Sequence, residues 1–576
     1  MSEHRLPSIL AACVFVLAGY PSSSAAASTM EGSLSEEAPL REVPVPTPGD
    51  IGPDIPWPLQ GLPTSPPDNP QVGDSWLWWL WVHDPMPPHF EQAMCTVRGK
   101  SDRGYVVVRD EEWLVSVDQA DVDLILERWE NSSVGPWPST GIYELDSLAF
   151  GEPPDEIDMD PGIYLVYFDF GIAADGFFFW FDEYPEGTYP EYHSNECEVL
   201  YLNPYSSGGP SGNYMLAVAA HEFEHMIHWN HDEDETSWVN EGMAELAMWL
   251  YGAPDNISSF NSNPDNSLVV WDGTWADYIK TYLWSLYFYE RCGGLPAAYA
   301  VVHEQANSIA GYENVLDALG FAEGFSDVFA DWVVANFLDD TSIGDGRFGY
   351  AGADLPAFAV SGNYSAYPLE WTYRTVNHWA ADYYRFQGFG SVTSVLLSFD
   401  GSDNTSYSVR GLVLRSGETP EVLTMPLEPS GQYGALLVTG LTDPADQVVL
   451  SVANTSSSGS LGYQFKAEDA AGIESPPGGG RPTLSIQAGR SPFSGSVTIT
   501  IGWQSDDAGS APSLDIFDLG GRLVRSFDLP EGGRGSAAVI WDANRGDGSP
   551  APPGCYFAVA GMEGSSAAAR LVLLGR

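Results

Sequence analysis

The run NYMLAVAAHEFEHMIHWN, residues 213 to 230, constrains this chain more than any other stretch. On a helix turning about 100° per residue, Leu216, Ala220, Phe223 and Ile227 fall in one narrow apolar stripe, the side that meets a core. His221 and His225 lie on a different face, one turn apart, with Cβ atoms about 5–6 Å from each other. Two neutral imidazoles at that spacing can share one cation, and Glu222 projects to the flank of the same place. A second apolar run, WVNEGMAELAMWLYG, stops at Gly252 with Pro254 just beyond, a helix-ending signal. Helical spacing continues to about Asp340 through YIKTYLWSLYFYERCGG, AAYAVVHEQA and FSDVFADWVVANFLDD.

The flanking sequence has a different texture. DSWLWWLWV, GYVVVRD, GIYLVYFDF, GFFFWFDEY and CEVLYLN are short aromatic and β-branched runs bounded by Gly, Pro and Asp, which predict strands. The tryptophans of residues 76 to 81 are better read as a buried strand than as a sugar-stacking platform. At the N-terminus, Arg5 precedes the mostly apolar Leu6 to Leu17, and Ala25-Ala26-Ala27 offers small-residue cleavage before Ser28. Residues 1–27 therefore read as a signal peptide. A lipoprotein-type cut before Cys13 is the rival, disfavoured because the apolar run continues past it. Residues 28–72 are rich in proline and read as an extended tether or pro-segment.

These signals give a multidomain α+β chain. A catalytic domain spans residues 73–345, with a β-rich lobe (73–205) and a helical lobe (206–345). A β-sandwich (361–470), a linker (471–482) and a last β module (483–576) follow. At roughly 150 residues per domain, 576 residues allow about four such units.

Lys and Arg number 23 against 79 Asp and Glu, a net charge of −56. Only Lys100, Lys280 and Lys466 are lysines. Such a surface repels phosphate backbones and anionic lipid, which argues against nucleic-acid partners. No stretch after the leader is long and apolar enough to span a bilayer. Beyond the leader stand Cys95, Cys197, Cys292 and Cys555. Cys555 reads as a strand core position, and one disulfide among the other three is open, with no spacing to choose it. The acidic PPDEIDMDPG, residues 153 to 162, is a candidate for Ca2+. A solvated turn is the plainer reading, because the EF-hand order and its closing Glu are absent.

His221-Glu222-Phe223-Glu224-His225 is the His-Glu-x-x-His pattern in which two histidines bind Zn2+ and the Glu acts as general base. Zinc lowers the pKa of a bound water to about 7, Glu222 accepts its proton, and the water attacks a polarised carbonyl. Two residues compete as third ligand. His231 stands ten residues after His221, the metzincin spacing, but His228 occupies the position where that pattern needs a glycine turn. Glu241, sixteen residues past His225 and near the start of the second helix, is the preferred ligand. A carboxylate from a second helix is the arrangement of the gluzincins, the thermolysin-like and aminopeptidase-like zinc enzymes.

AHEFEHMIHWN followed by WVNEGMAELA resembles the hyicolysin family of secreted bacterial zinc metallopeptidases and its immune-inhibitor-A-like relatives. SNECEVLYLN, YIKTYLWSLYFYERCGG and FADWVVANFLDD resemble flanking elements of the same family. The resemblance implies a zincin-type fold, zinc on His221, His225 and Glu241, Glu222 as base, and protein or peptide substrates outside the cell. By similarity with thermolysin-like enzymes, Glu245 would hydrogen-bond a zinc-bound histidine. Tyr278 or Tyr282 would stabilise the oxyanion, Tyr278 being the residue chosen; His228 and His231 would lie behind the ligands or in solvent. LDIFDLGGRLVRSFDLP, VIWDANRGDGSPAPPGCYFAVAG and ARLVLLGR resemble the Ig-like domain of flagellar hook-capping proteins and C-terminal sorting domains of type IX export. They imply cell-surface attachment or an export partner. The alternative of another class is a catalytically inactive surface adhesion protein. The intact His221, Glu222, His225 and Glu241 argue against it.

Overall fold

A computed structural model describes residues 40–574 except 44, 57–60, 68, 458, 471–482, 489–492, 505–511, 519–521, 530–533, 547 and 563–564. The expected signal peptide and linker lie outside the described residues. The first sheet is formed by β1 (Leu40–Glu42), β2 (Ser75–Val82), β3 (His89–Lys100), β4 (Gly104–Arg109), β5 (Ile163–Tyr167), β6 (Ala174–Phe178) and β7 (Val199–Leu202), in the order β1-β6-β7-β5-β4-β3-β2. β4, β5 and β7 run parallel, while β6 is antiparallel to β7 and carries β1 parallel on its outer edge. The central strands read as continuous apolar runs because both faces of the sheet are covered. Ile163, Leu165 and Tyr167 enter the helical core, while Tyr164 and Val166 enter a second core with Trp76, Trp78 and Phe177. Those tryptophans are buried strand residues and offer no stacking platform.

Two helices interrupt the expected β-rich lobe, α1 (Gln119–Glu130) and α2 (Ile142–Phe150). α1 begins with a reciprocal cap between Asp118 and Asp121 and buries Val122, Ile125 and Trp129 at helical spacing. They are the crossover that parallel β4 and β5 require. The helical region follows as α3 (Asn213–His231), α4 (Ser237–Tyr251), α5 (Trp275–Cys292), α6 (Leu295–Val302), α7 (Ile309–Leu319) and α8 (Phe325–Leu338).

The described residues between 40 and 72 are held against the first lobe. Proline leaves few N–H groups for a ladder, so this segment is fastened one bond at a time. Tyr192 Oη donates to Pro46 O (2.9 Å), and Ile55 N–H donates to Phe90 O (2.9 Å). Lys100 Nζ donates to Asn69 Oδ1 (2.6 Å) and Pro70 O (3.0 Å). Cys95, Cys197 and Cys292 are buried free thiols, and no disulfide occurs among the described residues. Nor is any helix among them long and apolar enough to cross a membrane.

The strands between Gly362 and Asp469 form a five-stranded and a four-stranded sheet around one core. This unit is fused to the helices: Trp379, Ala381 and Tyr383 belong to the helical core. Tyr383 Oη donates to Val333 O (2.6 Å), and Arg410 pairs with Asp331 (2.6 Å). The strands between Thr483 and Leu573 form a three-stranded and a four-stranded sheet around a separate core. A chain ending near Ala470 is therefore expected to keep its fold, with the thermal transition of the preceding units unchanged, since mutually independent units add. A lowered transition in the shortened chain would show that the last module supports the others.

Candidate metal centre

α3 and α4 pack side by side, and α3 lies directly beneath β6. The close approach depends on Gly176, where a Cβ would stand 2.9 Å from Glu222 Oε1 and 2.9 Å from Val218 Cγ1. Gly242 does the same between α4 and α5, since a Cβ there would come 2.6 Å from Ser285 Oγ. These contacts bring the second helix, with Glu241 near its start, against the histidine-bearing face of the first.

His221, His225 and Glu241 form one group whose ligand atoms lie within 4.8 Å of one another. His221 Nε2 is 3.6 Å and His225 Nε2 3.8 Å from Glu241 Oε2. The two imidazoles meet edge to face at 85°, with centroids 4.7 Å apart. Ligand atoms about 2.1 Å from a tetrahedral ion stand about 3.4 Å from one another, so the group is close to the size a small divalent ion needs. Two imidazoles and a carboxylate, with no thiolate, suit zinc or a similar transition metal.

Each imidazole is backed by a carboxylate on its other nitrogen. His221 Nδ1 faces Glu245 Oε1 at 3.7 Å, and His225 Nδ1 faces Glu224 Oε2 at 3.8 Å. A carboxylate in hydrogen-bond contact with that nitrogen fixes the tautomer that turns Nε2 toward a metal, and these two stand just beyond that distance. Glu224 is missing from the sequence reading. Its role arises from helical spacing, because its other oxygen pairs with His228 Nδ1 at 3.0 Å, one turn on. The one available signal was its place one helical turn before His228. Buried Asp146 lies close to Glu224: burial, and then the Glu224 charge, push its carboxyl well above the ordinary range.

His231 is carried elsewhere. α3 continues without a turn through His231, whose Nε2 lies 3.0 Å from Glu152 O and whose ring stacks on His303 at 3.9 Å. Burial, and then His303, lower its pKa. With histidine rather than glycine at position 228 the helix has no reason to break, so the metzincin arrangement is not formed. Tyr278, on α5, packs edge-on against Trp271 at 4.8 Å. Tyr282 lies one turn further along α5 and is buried; burial, and then the Glu245 charge, raise its pKa. Glu222 is fully buried beneath β6. A cleft of about 200 Å³ opens beside it, lined in part by Phe178, Trp180, His225, Trp229 and Glu241, together with Val43 and Val45.

No family model matches the chain. The neutral metalloprotease ShpI of Staphylococcus hyicus is 25% identical over 205 residues, which cover 30% of this chain and 45% of that protein. The chain thus spans less than half the length of this curated relative. Among solved structures, dimeric latent PorU of Porphyromonas gingivalis overlaps 32% of this chain and 18% of its own, at 14% identity and a TM-score of 0.18. PorZ, a surface component of the type-IX secretion system of the same organism, overlaps 24% and 15%, at 19% identity and a TM-score of 0.12. Overlaps of that quality carry nothing about this fold. The chain is similar, distantly and over part of its length, to a neutral metalloprotease.

Proposed function

We propose that this chain is an exported zinc-dependent endopeptidase in which His221, His225 and Glu241 hold the metal and Glu222 is the general base. The observation that carries the reading is the convergence of both Nε2 atoms on Glu241 Oε2, at 3.6 and 3.8 Å, beside buried Glu222. The distant likeness to a neutral metalloprotease supports it. Bound there, zinc would act as a Lewis acid, acidifying a water and polarising the scissile carbonyl. Glu222 takes the proton of the attacking water and returns it to the departing amine. Glu245 and Glu224 hold the imidazoles in register, and Tyr278 is the proposed donor to the developing oxyanion. The last module, as an Ig-like unit, would serve attachment or export. The test is incubation of the zinc-loaded chain with casein, followed by mass spectrometry of the fragments. New internal N-termini accumulating with time are expected; intact casein would overturn the reading.

The proline-rich segment gains a role in the same reading, that of a pro-segment lying over the cleft. An edge strand offers its free N–H and C=O groups to any extended peptide, and β6 is the edge nearest Glu222. β1 holds that edge, pairing Leu40 with Ala174 and Glu42 with Gly176, and Val43 N–H reaches Gly176 O at 3.4 Å. Removing residues 28–45 is therefore expected to raise kcat/KM on a small peptide by about tenfold or more, equivalent to about 1.4 kcal/mol of competition relieved. An unchanged kcat/KM in the shortened, folded chain would rule out the pro-segment role.

A further inference from the structure

A second group of carboxylates lies in the first lobe, apart from the histidines. The loop between α2 and β5 carries Asp155, Asp158 and Asp160, and Glu198 returns beside it as the residue before β7. One oxygen each from Asp155, Asp158 and Glu198 lie within 4.8 Å of one another. What separates the group from an ordinary acidic surface is Glu198. Its side chain is fully buried; it meets the Asp158 carboxyl within the group, and no N–H or hydroxyl of another described residue donates to either of its oxygens. Glu183 stands near with Oε1 likewise unpartnered.

Among the described residues no cation forms an ion pair with Asp155, Asp158 or Glu198. Two arginines on strands of the same lobe are paired elsewhere, Arg109 with Glu91 and Glu111, and Arg98 with Asp110. Arg103 acts on exposed Asp155 only at longer range. Two ionised carboxylates at a buried position repel each other at low dielectric, so a proton or a cation has to stand between them. Burial first, and then the charge of Asp158, hold the Glu198 carboxyl far above its ordinary value.

We propose that Asp155, Asp158 and Glu198 bind a calcium ion, with Glu183 at its flank. The donors are all carboxylate oxygens, the set that hard cations take, and they come from an irregular loop and a strand end. Ca2+ accepts six to eight such oxygens in loose geometry, whereas Mg2+ demands a near-ideal octahedron. Oxygens about 2.4 Å from a common ion stand at most about 4.8 Å apart, which this group meets. Exposed Asp155 leaves the ion a way in, and buried Glu198 anchors it. The ion would tie the 151–162 loop to the start of β7. The same loop braces the end of α3, where Glu152 O receives Asn230 Nδ2 at 3.1 Å and lies 3.0 Å from His231 Nε2. The site does not depend on the peptidase reading.

The test is calcium titration of the zinc-loaded full chain by calorimetry, paired with thermal unfolding. At about 100 times Kd, the transition of the first domain is expected to rise by about 5 °C or more. Asp155→Asn, at an exposed position that leaves the fold intact, should weaken calcium binding by about tenfold, and Glu198→Gln should abolish the thermal response. If Glu198→Gln does not fold, Asp155→Asn and Asp158→Asn decide the matter. A wild-type chain indifferent to calcium would overturn the proposal in favour of a shared proton. A response of full size in both Asp variants would overturn it by placing the ion elsewhere.

Discussion

Glu222→Gln protein is expected to retain its zinc and to hydrolyse peptides about 100 to 10,000 times more slowly than the wild type, the range that general-base catalysis contributes. The substitution preserves shape and removes proton affinity. Because Glu222 is fully buried under β6 and a Cβ at Gly176 would nearly touch it, an isosteric amide fits where a larger side chain would not. Most of the loss should appear in kcat, since in the proposed mechanism the side chain handles a proton and does not hold the ground-state peptide. Metal content read on the same sample separates lost chemistry from lost zinc. A zinc-loaded variant with wild-type turnover would remove Glu222 from the mechanism.

An effect of similar size is expected from Glu241→Ala, by a different route. Two histidines and water are too few protein ligands to hold a catalytic zinc tightly, so dialysis should remove the metal and activity should vanish with it. His231→Ala is the matched control. Its ring is occupied with Glu152 O and His303, so its removal should leave zinc and turnover within about twofold, as for a site with no shared partner. Zinc lost from His231→Ala and kept in Glu241→Ala would reverse the ligand assignment.

The two helices that carry these residues were legible because their information is local. Apolar residues repeat at helical spacing through α3, and Gly252 ends α4 in a left-handed conformation with φ 107°. Helix α1 was equally local, with the Asp118–Asp121 cap and Val122, Ile125 and Trp129 in register, but the strands on either side drew the reading toward β structure. What could not be read was long-range pairing. Asp158 and Glu198 meet because β5 and β7 run parallel in register, Tyr164 opposite Val199. The acidic loop taken alone looks like a solvated turn. β1 is three residues long and gains its meaning only from the edge of β6, which no local pattern announces. Glu224 was hidden for a related reason: which acidic residue backs a histidine depends on packing between helices, and only Glu245, one turn beyond a proposed ligand, was anticipated.

The most direct measurement is zinc content and casein hydrolysis on one preparation of the full chain, taken before a chelator, after it, and after zinc is returned. About one zinc per chain is expected, as a single three-ligand site requires, with hydrolysis lost on its removal and restored on its return. A chain that binds no zinc, or that cleaves casein equally well without it, would contradict the assignment of His221, His225 and Glu241 as a catalytic metal site.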